Sequence, residues 1–109
     1  MTAEQIRLLA KMKKMIVEGN KKFSGRKDRD YLQDLLNIGI TEQGAWQSIL
    51  TLSSKDYYHD YRPFYLKNGR DALVFKKEIN GYVIYIKIKL ELYNNTETVT
   101  CLSFHIDHK

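Results

Sequence analysis

Cysteine and proline are almost absent: Cys101 and Pro63 are each the only residue of their kind among 109. One cysteine excludes a disulfide within these residues, so packing and hydrogen bonds must hold the fold. One proline and six scattered glycines exclude a low-complexity chain, and none of the glycines sits in a phosphate-cradling loop pattern. No apolar run approaches the ~20 residues that span a bilayer, so no membrane partner is expected. The opening Met1-Thr2-Ala3-Glu4-Gln5 leads into an amphipathic, lysine-bearing helix rather than an apolar leader, and a soluble cytoplasmic protein is expected. The length suits a single domain over residues 1–109.

What the chain has instead is positive charge and tyrosine. The formal net charge is +5 and the sequence pI is about 9.3. Residues 1–30 hold nine Lys or Arg against four Asp or Glu, a local excess as large as that of the whole chain. A basic surface attracts nucleic acid, acidic membranes or acidic proteins. Eight tyrosines favour unpaired nucleic acid, because rings beside cations can stack on bases.

The first half has helical periodicity. Thr2 and Gln5 form a capping box, and Leu8, Leu9, Met12, Met15 and Ile16 then recur at helical spacing before Gly19. A second helix is predicted from about Asp28 to Asn37, burying Tyr31, Leu32, Leu35 and Leu36 and ending at Gly39. A third follows Thr41 and presents Ala45, Trp46, Ile49 and Leu50, after which Ser53 caps a turn with Asp56. Tyr57 to Asp71 lacks periodicity but crowds Tyr57, Tyr58, Tyr61, Phe64 and Tyr65 with Arg62, Lys67 and Arg70, as a substrate platform or a pinned loop would.

The second half alternates with a period of two. Ala72 to Ile79 leads into Asn80-Gly81, a strong hairpin signal. Along Tyr82–Tyr93, Ile84, Ile86, Ile88, Leu90 and Leu92 share one face, and Val83, Tyr85, Lys87, Lys89, Glu91 and Tyr93 share the other. In the last strand Leu102, Phe104 and Ile106 are expected in the core, with Cys101, Ser103, His105 and Asp107 opposite. The fold class is α+β, with amino-terminal helices packed on a carboxy-terminal antiparallel meander.

A two-residue turn at Asn80-Gly81 sets Lys76 opposite Tyr85 and Val74 opposite Lys87. A three-residue loop from Asn94 to Thr96 sets Tyr93 opposite Glu97, His105 opposite Tyr85 and Ser103 opposite Lys87. Lys76, Tyr85, Lys87 and His105 should therefore cluster. These groups match RNA cleavage by the neighbouring 2′-hydroxyl, which needs proton transfer at two oxygens and cations for the phosphorane charge. Polar residues on the outer face of an antiparallel sheet are also the ordinary state of such a sheet. Metal chemistry has less to recommend it: His105 and His108 are three apart on a strand and point to opposite faces. No third group completes a nucleophilic site at Cys101.

Phe75-Lys76-Lys77-Glu78-Ile79-Asn80-Gly81, Val83-Ile84-Tyr85-Ile86-Lys87-Ile88-Lys89 and Leu102-Ser103-Phe104-His105 resemble the carboxy-terminal half of MqsR-family toxins. Ile38-Gly39-Ile40-Thr41, Ile49-Leu50-Thr51-Leu52 and Asp56-Tyr57 resemble the family's preceding segments, so the likeness runs over roughly residues 8 to 106. The resemblance implies a RelE-like fold and the toxin of a type II toxin–antitoxin system. It implies a metal-independent endoribonuclease, an mRNA interferase without cofactor, acting on single-stranded mRNA. It also implies a cognate antitoxin partner, which in this family often carries a helix-turn-helix domain. Carried over residue by residue, it marks Tyr85, Lys87, His105, Lys77 and His59 as catalytic. Lys76, Lys89, Tyr58 and Arg62 are the expected RNA-binding residues, and Val74 stands where the best-known members have Gln. By alternation Lys77 faces the core.

Two other readings stand beside this one. Three helices and an Asn-Gly hairpin also suit a winged-helix DNA-binding regulator, with Thr41 to Leu50 as recognition helix. A catalytically inactive module of the same fold, binding RNA or a protein partner, is the third.

Overall fold

Side-chain caps set the helix starts. The structure, a computed structural model, describes residues 1–24, 30–58 and 72–107. In α1 (Ala3–Val17) the Thr2 hydroxyl accepts from the Gln5 N–H while the Gln5 side chain accepts from the Thr2 N–H, completing the expected capping box. Leu9, Met12 and Ile16 are buried along one edge, and Gly19 follows in the left-handed region at φ 89°.

In α2 (Tyr31–Ile38) the Asp30 carboxylate accepts from the Leu32 and Gln33 N–H groups. Gly39 ends the helix at φ 83°. The expected burial of α2 is corrected here. Leu35 and Ile38 are buried with Tyr31 half-buried, whereas Leu32 and Leu36 are 50% and 71% exposed. Tyr31, Leu35 and Ile38 recur on one helical edge, which lies on the sheet. Leu32 and Leu36 are each one step, about 100°, further round and point away from it.

In α3 (Glu42–Leu50) the Thr41 hydroxyl accepts from Gly44, and Ala45, Trp46 and Ile49 are buried as expected. A 3-10 helix, Ser54–Asp56, follows, with the Asp56 carboxylate accepting from the Ser53 N–H at 3.0 Å.

The strands are β1 (Lys21–Phe23), β2 (Leu73–Ile79), β3 (Tyr82–Tyr93) and β4 (Thr96–Ile106), in the sheet order β1-β4-β3-β2. The last three form the expected antiparallel meander. The sheet as a whole is mixed, because β1 adds to β4 in parallel, with Phe23 beside Cys101. Three residues are too short to show a period, so β1 has no signature in the sequence.

Asn80 and Gly81 turn at φ 53° and 83°, and β2 pairs with β3 in the expected register, Lys76 opposite Tyr85 and Val74 opposite Lys87. The Asn80 side-chain amide also donates to the Ile38 carbonyl at 3.1 Å, tying this hairpin to the end of α2.

The β3–β4 connection is shorter than expected. Asn94 and Asn95 form a two-residue turn at φ 51° and 62°, which sets Tyr93 opposite Thr96 rather than Glu97. That register holds as far as Ile88 opposite Cys101. A bulge then inserts Leu102, and Lys87 faces Ser103 and Tyr85 faces His105. The bulge thus restores the expected Tyr85–His105 pairing that the shorter turn would have shifted. It also reverses two assignments: Cys101 lies in the core, and Leu102 is only half-buried at the bulge.

All three helices cover one face of the sheet. Phe75, Ile84, Ile86, Ile88, Val99 and Phe104 form the sheet's share of the core, and Leu9, Met12, Leu35, Trp46 and Ile49 form the helices' share. At the β1 edge the Phe23 ring stacks on Tyr31, centroids 4.6 Å apart, and meets Trp46 at 5.0 Å. No helix among the described residues is long and apolar enough to cross a membrane.

Candidate functional site

The face turned away from the helices carries the polar chemistry. Alternation sends Val74 and Lys76 of β2, Tyr85, Lys87, Lys89, Glu91 and Tyr93 of β3, and Thr100, Ser103 and His105 of β4 to this side.

At one end Tyr85 and His105 stack, with ring centroids 5.3 Å apart and 20° between planes. The His105 Nδ1 lies 3.0 Å from the Ile106 carbonyl oxygen. A carbonyl only accepts, so Nδ1 carries the hydrogen of this contact, which leaves Nε2 as the nitrogen available for proton transfer. Asp107 is anchored by its N–H donating to Val83 at 2.8 Å.

Lys76 joins this group across β3. Its Nζ is 2.8 Å from Asp107 Oδ2 and 4.0 Å from the centroid of Tyr58. The hydrogen bond to Asp107 raises the lysine above its ordinary value, with the Asp107 charge adding to it, and together they outweigh the opposing effect of desolvation. Tyr58 is placed by its N–H donating to Val74 at 2.9 Å. Lys87, opposite Val74 and Ser103, is 8% exposed and forms the floor beside Tyr85 and His105.

A second cluster lies further along β3. Lys89 Nζ is 2.8 Å from Glu91 Oε2, Lys22 of β1 is 3.6 Å from Glu91 Oε1, and the Thr100 hydroxyl donates to Glu91. Burial pushes the Glu91 carboxyl up. The hydrogen bonds from Lys89 and Thr100 and the charges of Lys89 and Lys22 outweigh that and hold it below its ordinary value. Lys22 Nζ also sits 4.4 Å over the ring of Tyr93.

Of the residues marked from the sequence, Tyr85, His105, Lys87, Lys76 and Tyr58 come together, and Lys89 shares their face at the second cluster. Lys77 does not join them. It points to the helix side, 4.0 Å from Asp56, as strand alternation requires. His59 and Arg62 lie outside the described residues, as does His108. Asp107 was placed on the correct face by alternation but not as the partner of Lys76. Register names only the neighbour opposite, and this pair spans β3 by the reach of a lysine. Lys22 was missed because β1 was. Among the described residues no three of His, Cys, Asp and Glu gather closely enough to hold a metal ion.

No protein-family model matches the chain, and no curated protein matches it.

Proposed function

We propose that the chain is a metal-independent endoribonuclease, the toxin of a type II toxin–antitoxin system, which cuts single-stranded messenger RNA in the cytoplasm. The observation that carries this reading is the stacked Tyr85–His105 pair flanked by Lys76 and Lys87. The resemblance of the carboxy-terminal strands to MqsR-family toxins, and the packing of amino-terminal helices on one face of the sheet, agree with it.

In this reading His105 Nε2 takes the proton of the 2′-hydroxyl as O2′ bonds to the adjacent phosphorus. The bond from phosphorus to O5′ breaks, and O5′ takes the proton of the Tyr85 hydroxyl. Return of the proton from the imidazolium to the phenolate resets the pair. Lys76 and Lys87 stabilise the charge that develops on the non-bridging oxygens. Lys76 suits this role because its contact with Asp107 keeps it protonated. The products are a 2′,3′-cyclic phosphate and a 5′-hydroxyl. DNA is not cut, because it lacks the nucleophile.

A DNA-reading role for α3 has less support. Its buried edge holds Ala45, Trp46 and Ile49, and its exposed side offers Glu42, Gln43 and Gln47 with no cation for phosphate.

The test is incubation with end-labelled single-stranded RNA in excess EDTA, beside His105→Ala. Cleavage by the wild type alone, with cyclic-phosphate ends, is expected. An intact substrate in both, with no growth arrest on expression, would refute the reading and favour an inactive module of this fold. The type II assignment further requires that a co-expressed protein partner relieve the arrest.

A further inference from the structure

The second cluster on the same face has no part in the chemistry proposed above, yet it is built. Glu91 is held ionised below two ammonium groups, Lys22 and Lys89, and a hydroxyl, Thr100. Their joint charge remains positive. Beside them Tyr93 ends β3 with 51% of its surface exposed. Lys22 lies over one side of its ring at 4.4 Å.

This end is also well fixed. Tyr93 precedes the tight Asn94-Asn95 turn and pairs with Thr96. Lys22 is fixed by the pairing of β1 with β4, which sets it opposite Thr100. A half-exposed ring on a paired strand, with a cation beside it, is the arrangement that holds an unpaired base while the cation meets phosphate.

The spacing connects the two clusters. Tyr85 and Tyr93 are eight residues apart on one strand and one face, about 26 Å at the usual rise of a strand. Lys87 and Lys89 lie between them on that face. The run from Tyr85 past buried Lys87, then Lys89 and Glu91, to Tyr93 and Lys22 therefore joins the two clusters along one face, with a ring at each end.

We propose that the Tyr93–Lys22 corner is a nucleobase subsite for single-stranded RNA, which seats a base several nucleotides from the phosphate held at Tyr85 and His105. This rests on the ribonuclease reading for its ligand, but the subsite binds whether or not the bond is cut. Tyr93 supplies the stacking surface, Lys22 contacts phosphate, and Glu91 positions Lys22.

The probe is a fluorescent ten-nucleotide RNA with 2′-O-methyl groups throughout, which cannot be cleaved. Binding is read by anisotropy against salt concentration. Tyr93→Ala should weaken binding roughly tenfold, the scale of one stacked base, with the salt slope unchanged. Tyr93→Phe should bind as the wild type does. Lys22→Met should lower the salt slope by about 0.7, the value for one phosphate contact on a single strand. Circular dichroism and melting temperature establish that each variant folds.

Equal affinity of wild type and Tyr93→Ala would overturn the subsite, as would loss in Tyr93→Phe equal to that in Tyr93→Ala. Tyr93-dependent binding by a protein that leaves ordinary RNA intact and does not arrest growth on expression would sustain the subsite and refute the ribonuclease. Cleavage in EDTA with Tyr93-independent binding would do the reverse.

Discussion

The His105 imidazole lies over the Tyr85 phenol ring, their centroids 5.3 Å apart and their planes 20° from parallel. The two rings come from different strands, and the Leu102 bulge sets the register that brings them together. Tyr85→Phe keeps the ring and loses only the hydroxyl, while His105→Ala removes the imidazole proposed to accept the 2′-hydroxyl proton. Each is expected to lower kcat on single-stranded RNA by about 10²–10⁴, with little change in melting temperature. Cleavage time courses beside thermal unfolding check this, and wild-type rates in both variants would remove the pair from the site.

Lys76 and Lys77 are neighbours in sequence on opposite sides of the sheet. Lys76 meets Asp107 and Tyr58 beside the stacked rings, and Lys77 meets Asp56 under the helices. Lys76→Met should therefore slow cleavage at least about tenfold, the cost of losing one of the charges proposed to meet phosphate. Lys77→Met should leave the rate within about twofold, because the distance to Asp56 describes a weak pair. A larger loss in Lys77→Met than in Lys76→Met would reverse the assignment.

Glu91 makes a pH-dependent contribution to stability. Its carboxyl is lowered on folding by Lys89, Thr100 and Lys22 acting against burial. A lowered acid stabilises the fold fully above its unfolded value, and that stability is lost as pH falls through the lower, folded value. Glu91→Gln is expected to cost about 1 kcal/mol at neutral pH. The difference should close as the pH falls below about 4. Urea unfolding of both proteins across this window measures it, and a gap that widens in acid would contradict the sign.

Cys101 should be inert while the protein is folded. It is buried in the core, and burial pushes the thiol up to about 12 despite a backbone hydrogen bond with Ser103 that acts the other way. Thiolate is the reactive form, so a thiol reagent at pH 8 should modify Cys101 only as fast as the core opens. Labelling within seconds in native buffer, at the rate seen in urea, would place the sulfur at the surface.

Much of this was legible locally. The capping box at Thr2, the buried edge of α1, the Asn80-Gly81 hairpin and the two faces of β3 follow from contacts within a few residues, which sequence spacing encodes directly. The pairing of Lys76 with Tyr85 followed for the same reason. The Tyr85–His105 pairing was reached through a loop one residue too long, and the structure recovers it only through the bulge. Leu32 and Leu36 have the apolar character of a buried edge, but among the described residues nothing covers the far side of this eight-residue helix.

The sequence by itself determined the three helices and the three strands of the meander, where the hairpin turns at Asn80-Gly81, and that Tyr85, Lys87 and His105 share a face. Caps, turn residues and alternation act over short stretches of chain, so their outcome is written in order along it. Only the tertiary structure decided that β1 joins β4, that Cys101 enters the core, that Asp107 takes Lys76, and that Lys22 reaches Glu91 and Tyr93. Each of these depends on a long-range register, and a single inserted residue at Leu102 is enough to change which side of the sheet a side chain occupies.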